Sequence, residues 1–102
     1  MKIINIVFGG DFHDVDLLKV PDYIAEDIEK ITQNFFNWVV HPDNRGLFMK
    51  TIHTNQGLKE YLCVGTEEFI WWLRKFAVVN DDTITLLAQH VSFHPEYPSA
   101  DF

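Results

Sequence analysis

Five large apolar side chains recur between residues 24 and 38 at the spacing of one helix face. They follow each other at steps of four, three, four and three: Ile24, Ile28, Ile31, Phe35 and Trp38. This spacing places all five on a single stripe. Pro21 suits a first helical turn, and the acids after it favour the positive end of the helix dipole. The sequence therefore predicts a helix from about 21 to 40 that must bury its stripe against another element.

Apolar runs on both sides of this helix predict strands. The run from Ile3 to Phe8 ends at two glycines, which is typical of a buried strand. After the helix, segments 47–54 and 58–64 flank Asn55-Gln56-Gly57, and we expect them to form a hairpin.

A second helix is predicted from Thr66, whose hydroxyl can cap the free N–H groups of the first turn. Residues 80–82 are predicted to form a turn, and residues 83–93 a final strand. The tail 94–102 contains two prolines and is not expected to extend a sheet far. The core stripe of the second helix is expected to consist of Phe69, Trp72, Leu73 and Phe76.

The predicted element order is βαββαβ. In the ferredoxin-like arrangement of that order, a four-stranded antiparallel sheet carries two helices on one face. We therefore expect a single α+β domain over residues 1–102, with a proline-containing tail at 94–102. Another α+β sandwich with the same order is the alternative.

The sequence also limits the compartment. The chain of 102 residues has one cysteine, Cys63, so it cannot form an intramolecular disulfide. Its start lacks the features of a secretory signal, and no run approaches the roughly 20 apolar residues of a membrane span. We expect a cytoplasmic protein.

Charge limits the partners. Eight basic residues against fifteen acidic ones give a net charge of −7, which argues against nucleic acid and anionic membranes as ligands. Between residues 11 and 29, seven acids face one lysine, a balance of −6, and we expect one contiguous acidic patch. The seven acids are Asp11, Asp14, Asp16, Asp22, Glu26, Asp27 and Glu29.

The residues offer little support for bound metal or covalent chemistry. The acidic stretch after the first strand fails the calcium-loop register, and only His13 is a nearby nitrogen ligand. His90 and His94 are four apart, which on a strand separates them by about 13 Å. We therefore predict no metal, no cofactor and no catalytic residue. Acid–base work by Asp11 with His13, His90 or His94 stays an open alternative.

These features together predict a small acidic protein-binding module. It is similar in size and charge to immunity proteins, which inhibit bacterial toxins, often basic nucleases, by covering the active site. The expected partner is such a basic protein, and a homodimer is possible. The alternative is a ferredoxin-like dimeric enzyme or sensor that uses a His/Asp pair. Trp71 is predicted to lie on the helix face opposite the core. The predicted partner-binding residues are Asp11, Asp14, Asp16, Tyr23, Glu26, Glu29 and Trp71.

Overall fold

A β-hairpin at the start of the chain is the centre of the fold in the computed structural model, which describes residues 1–79 and 82–102. Strand β1 (Lys2–Val7) pairs antiparallel with β2 (Val15–Val20), from Lys2↔Val20 to Ile6↔Asp16. The predicted order βαββαβ has no strand between the first strand and the first helix, so β2 was not expected. Apolar side chains on β2 are buried on both faces, so the segment has no simple alternation of polar and apolar residues.

Four further strands and the helices follow along the described residues. The strands are β3 (Met49–Thr54), β4 (Gly57–Leu62), β5 (Thr85–Val91) and β6 (Ser99–Asp101). The helices are α1 (Asp22–Glu26), α2 (Ile28–Val40), α3 (Pro42–Arg45) and α4 (Thr66–Trp72), and α4 continues into a π-helical turn (Leu73–Ala77). The turn predicted at 80–82 falls on residues 80 and 81, which lie outside the described residues.

The protein is a single α+β domain, but the ferredoxin-like arrangement is not confirmed. The four-stranded sheet has the order β5-β2-β1-β6, and its strands are not all antiparallel because β6 runs parallel to β1. The strands β3 and β4 form a separate two-stranded hairpin, and most of their side chains are exposed. The tail contributes β6 directly after Pro98, where no further proline interrupts the ladder.

The predicted first helix is present and buries its stripe, but it is divided into two. Ile24, Ile28 and Phe35 are buried, and Asp27 leaves helical geometry between α1 and α2 with a φ of −115° and a ψ of 24°. The other two stripe positions are half-buried. Of the helices in the described residues, none is long and apolar enough to cross a membrane.

The helices pack on one face of the four-stranded sheet. Core residues of the sheet, such as Ile6 and Leu18, belong to one cluster with Phe35 of α2 and Phe69 of α4. Phe102, at the end of the described chain, is partly buried and packs against the same core, with its ring centroid 5.6 Å from that of Phe35 and 5.1 Å from that of Phe69. The C-terminal tail therefore packs on the core and contributes the buried Ala100 to it.

The opposite face of the sheet is covered by the connection between its two edge strands, β5 and β6. The side chain of Asn5, fully buried on β1, holds this crossover. Its Nδ2 donates to the carbonyl oxygens of His94 at 2.9 Å and Tyr97 at 3.2 Å, and its Oδ1 accepts from the backbone N–H of His94 at 3.0 Å. One polar residue in an apolar strand thus fixes the route by which the chain reaches β6.

Candidate protein-binding surfaces

The acidic residues predicted to form one patch are divided between the two ends of β2. Asp14 precedes the strand and Asp22 follows it, and the six-residue strand between them is about 20 Å long. Asp11 and Asp16 lie at the first end, and Glu26 lies near the second, 3.4 Å from the Lys2 ammonium. The acids therefore form two separate groups because β2, which was not predicted from the sequence, runs between them.

The acids at the first end of β2 are engaged within the protein. Asp16, half-buried, accepts a short hydrogen bond from the Thr66 hydroxyl and another at 3.3 Å from the backbone N–H of His90. Asp14 Oδ1 lies 2.7 Å from His90 Nδ1, and this contact raises the pKa of His90 above its ordinary value. Asp11 accepts from the backbone N–H of His13 at 3.1 Å. Thr66, predicted as a helix cap, thus binds β2 instead.

His90 adopts a left-handed backbone conformation, with a φ of 57°, where β5 shifts register against β2. Such conformations cost free energy in residues other than glycine, and bulges of this kind re-aim a side chain. The result is a His90–Asp14 pair that projects into solvent, with 78% of the His90 side chain exposed. Across the described residues, no three metal-ligating side chains converge on a possible ion site.

Tyr23, predicted as a partner anchor, ties the helical layer to the segment before β5. Its hydroxyl donates to Asp82 Oδ2 at 3.1 Å and accepts from the backbone N–H of Val79 at 2.9 Å. The neighbouring Asp22 lies 2.8 Å from the ammonium of Met1, which lowers the pKa of the Asp22 carboxyl.

A groove runs between α2 and the edge strand β6. Its first cavity has a volume of about 650 Å³ and is lined by Glu29, Gln33 and Phe36 on the helix and by Ser99 and Asp101 on the strand. A second cavity of about 660 Å³ shares Glu29 and Gln33 with the first. It adds the acids Glu26 and Asp27, one base, Lys30, and Pro98. Four carboxylates therefore line one continuous groove.

The strand at the base of this groove has an open edge. At alternate residues in and beside β6, the backbone groups form hydrogen bonds with β1. The Asn5 N–H donates to the Pro98 carbonyl oxygen at 2.8 Å, and the Phe102 N–H donates to the Val7 carbonyl oxygen at 2.9 Å. Because the direction of these groups alternates along a strand, the backbone groups of Ser99 and Asp101 point away from β1. The sheet order ends at β6, so these groups face the groove.

Trp71 lies on the outer face of α4, as its helical position predicts, with 43% of its surface exposed. It is part of an aromatic cluster in which Trp38 is central. The Trp38 centroid lies 5.8 Å from Trp71, 5.8 Å from Phe48 and 5.4 Å from Phe76. Phe76 was expected in the core and is 51% exposed, because the wider π-helical turn rotates it out of the buried stripe.

Sequence reasoning identified Glu26 and Glu29 of the groove and missed Asp101 and Phe36. Glu29, Gln33 and Phe36 recur at steps of four and three, so a second helix stripe beside the core stripe was visible in the sequence. No local signal places Asp101 next to this stripe.

Models of protein families, curated protein sequences and solved structures gave no match to this chain. Its function is therefore inferred from its own geometry.

Proposed function

We propose that the chain is a cytoplasmic protein-binding module that receives a basic, extended segment of another protein in the groove between α2 and β6. The observation that carries this proposal is the combination of an open strand edge with four carboxylates in one groove. An immunity or inhibitor protein that covers the active site of a basic bacterial toxin, such as a nuclease, is the role that fits best.

The two features of the groove complement each other in recognition. An extended segment can add a strand to an open edge, where main-chain hydrogen bonds supply affinity that does not depend on sequence. Lysine or arginine side chains of that segment can then reach Glu29 and Asp101, which supply specificity and speed association. In a nuclease, the same cationic side chains would otherwise bind phosphates, so an acidic groove is suited to occupying them.

Recognition is better supported than acid–base catalysis. His90 and Asp14 form a histidine–carboxylate pair that is open to solvent. Water at this position weakens the electrostatic interactions that would assist proton transfer. Neither cavity of the groove has a histidine among its lining residues. The groove carboxylates are therefore assigned to partner recognition in this proposal.

An immunity role predicts that a basic toxin is encoded beside the gene for this chain, and co-expression of that neighbouring protein with this chain tests the proposal. We expect the neighbouring protein alone to arrest growth and co-expression with this chain to restore it. In a binding assay, the double variant Glu29→Lys and Asp101→Lys should slow association at least about tenfold.

A variant with the same change in net charge is the control. Glu60→Lys with Asp43→Lys alters two exposed acids that do not line the groove, and it should leave association nearly unchanged. Equal slowing by both double variants would mean that net charge, and not the groove, drives binding. A neighbouring protein that has no affinity for this chain would remove the immunity role.

A further inference from the structure

We propose that two copies of this chain associate through the aromatic face of α4, with the two helices antiparallel and a twofold axis passing beside Trp71. This aromatic face is defined by Leu47, Trp71, Lys75 and Phe76, together with Glu67. It is distinct from the groove and does not depend on the function proposed for it.

The face exposes large apolar side chains, and its aromatic rings are fixed by packing against Trp38. Leu47 is 69% exposed, and together with Trp71 and Phe76 it forms a set of large side chains open to solvent. Trp38 contacts both rings from below, so the rings lose little conformational freedom when they are covered. Rigid aromatic side chains of this kind are enriched at the centres of protein interfaces.

Two opposite charges of the face lie at equal spacing on either side of Trp71. Glu67 lies four residues before Trp71 and Lys75 four residues after it. The Lys75 ammonium lies 5.0 Å from the centre of a Trp71 ring, so it is on this face despite the π-helical turn. A twofold axis beside Trp71 that makes the helices antiparallel places Glu67 of each copy opposite Lys75 of the other.

This symmetry selects a second copy as the occupant. Two chains of net charge −7 repel each other, and contact is favoured where their facing charges are opposite. A strongly basic or acidic partner would find one favourable and one unfavourable charge here. The C-terminal tail does not cover Trp71, because Phe102 packs against the core elsewhere, with its ring centroid 4.9 Å from that of Phe8.

The proposed axis also explains a hollow on this face. A hollow of about 400 Å³ beside Trp71 is lined by Leu47, Phe48 and the first turn of α4, including Glu67. Because the hollow adjoins Trp71, it lies beside the twofold axis, and each copy of the dimer covers the hollow of the other.

The test is sedimentation equilibrium of the full chain over a range of concentrations. We expect a dimer for the natural sequence. Each single charge reversal, Glu67→Lys or Lys75→Glu, should weaken the dimer roughly tenfold, since the twofold axis expresses every substitution twice. Trp71→Ala should weaken it further. Circular dichroism of each variant checks that the fold is kept.

Charge exchange identifies the antiparallel geometry. The double variant E67K/K75E again places opposite charges face to face and should recover the dimer. A mixture of the E67K and K75E single variants should form a heterodimer in which both charge pairs are favourable. Glu60→Lys and Phe12→Ala are the matched controls, since Glu60 and Phe12 are exposed and lie outside the aromatic face.

A monomer at every concentration would overturn the proposal. So would a dimer that the single charge reversals leave unchanged, because another surface would then hold it. In a further outcome, the single variants lose the dimer and neither the double variant nor the mixture recovers it. That result would exclude the antiparallel pairing. Association of this face with a different protein, but not with itself, would exclude the second copy as its occupant.

Discussion

Replacing Asn5 should release the crossover that leads from β5 to the groove strand β6. The change Asn5→Leu keeps the branched shape of the side chain and removes three hydrogen bonds of 3.2 Å or less between Asn5 and the crossover. It leaves the backbone N–H of His94 and two carbonyl groups without these partners. The substitution thus separates the hydrogen bonds of Asn5 from its packing.

Each such bond contributes about 1 kcal/mol net, so we expect a loss of about 3 kcal/mol in the free energy of unfolding. That is a large part of the roughly 5–15 kcal/mol available to a domain of this size. It corresponds to a fall of roughly 12–24 °C in the melting temperature. Urea denaturation followed by circular dichroism measures the free energy directly.

Asn37→Ala is the control, because Asn37 is exposed and makes one side-chain hydrogen bond, at 3.0 Å, to Gln33. It should change stability by less than about 0.5 kcal/mol. Hydrogen exchange gives a second reading of Asn5→Leu: the amides of Ala100 and Phe102 should exchange faster because β6 loses its anchor. A cost below about 1 kcal/mol with unchanged exchange would refute the role given to Asn5.

Two further predictions concern a surface pair and the core. In an NMR titration, the pKa of His90 should lie above 6.5 and fall when Asp14→Asn removes the carboxylate. Because the pKa of His90 is raised in the folded state, the contact with Asp14 stabilises the protein at a pH below the unfolded pKa of His90, and this stabilisation is lost as the pH rises through the folded pKa. Asp14→Asn should therefore destabilise the protein more at about pH 5.5 than at about pH 8.5. Equal losses of stability at the two pH values would contradict the pairing. Phe35→Ala should cost about 3–5 kcal/mol in urea denaturation, because Phe35 is buried among aromatic rings, whereas the half-exposed Phe36→Ala should cost less than about 1 kcal/mol. Similar costs for the two phenylalanines would contradict the orientation of α2.

The helices were predictable because their signals are local. The stripe from Ile24 to Trp38 indicated the first helix, and the position of Trp71 on the second indicated its outward direction. The π-helical turn was not predictable, since nothing in the spacing of residues 73–77 marks the i to i+5 hydrogen bond from Val78 N–H to the Leu73 carbonyl. The exposure of Phe76 follows from that turn.

The strand β2 was missed because the acids within it and directly before it contact partners that are distant in the sequence. Asp14 and Asp16 resemble loop residues in the sequence, yet Asp16 accepts from Thr66, 50 positions away, and both contact His90 on the neighbouring strand. The groove was missed for the same reason. Asp101 joins Glu29 through the pairing of β6 with β1, and this pairing is set by Asn5 and the crossover and not by local sequence.

The helix α2 connects both candidate surfaces and keeps them apart. Phe36 lines the groove beside β6, and Trp38 supports Trp71 in the aromatic cluster. Two residues along an α-helix correspond to a rotation of about 200°, so these side chains leave the helix in nearly opposite directions. Around the helix axis, the direction of Phe35 lies between these two directions, and Phe35 points into the core. Association through the aromatic face therefore leaves the groove of each copy open, and a dimer formed in this way would bind two partner molecules. A dimer that binds one partner molecule would mean that the two surfaces compete.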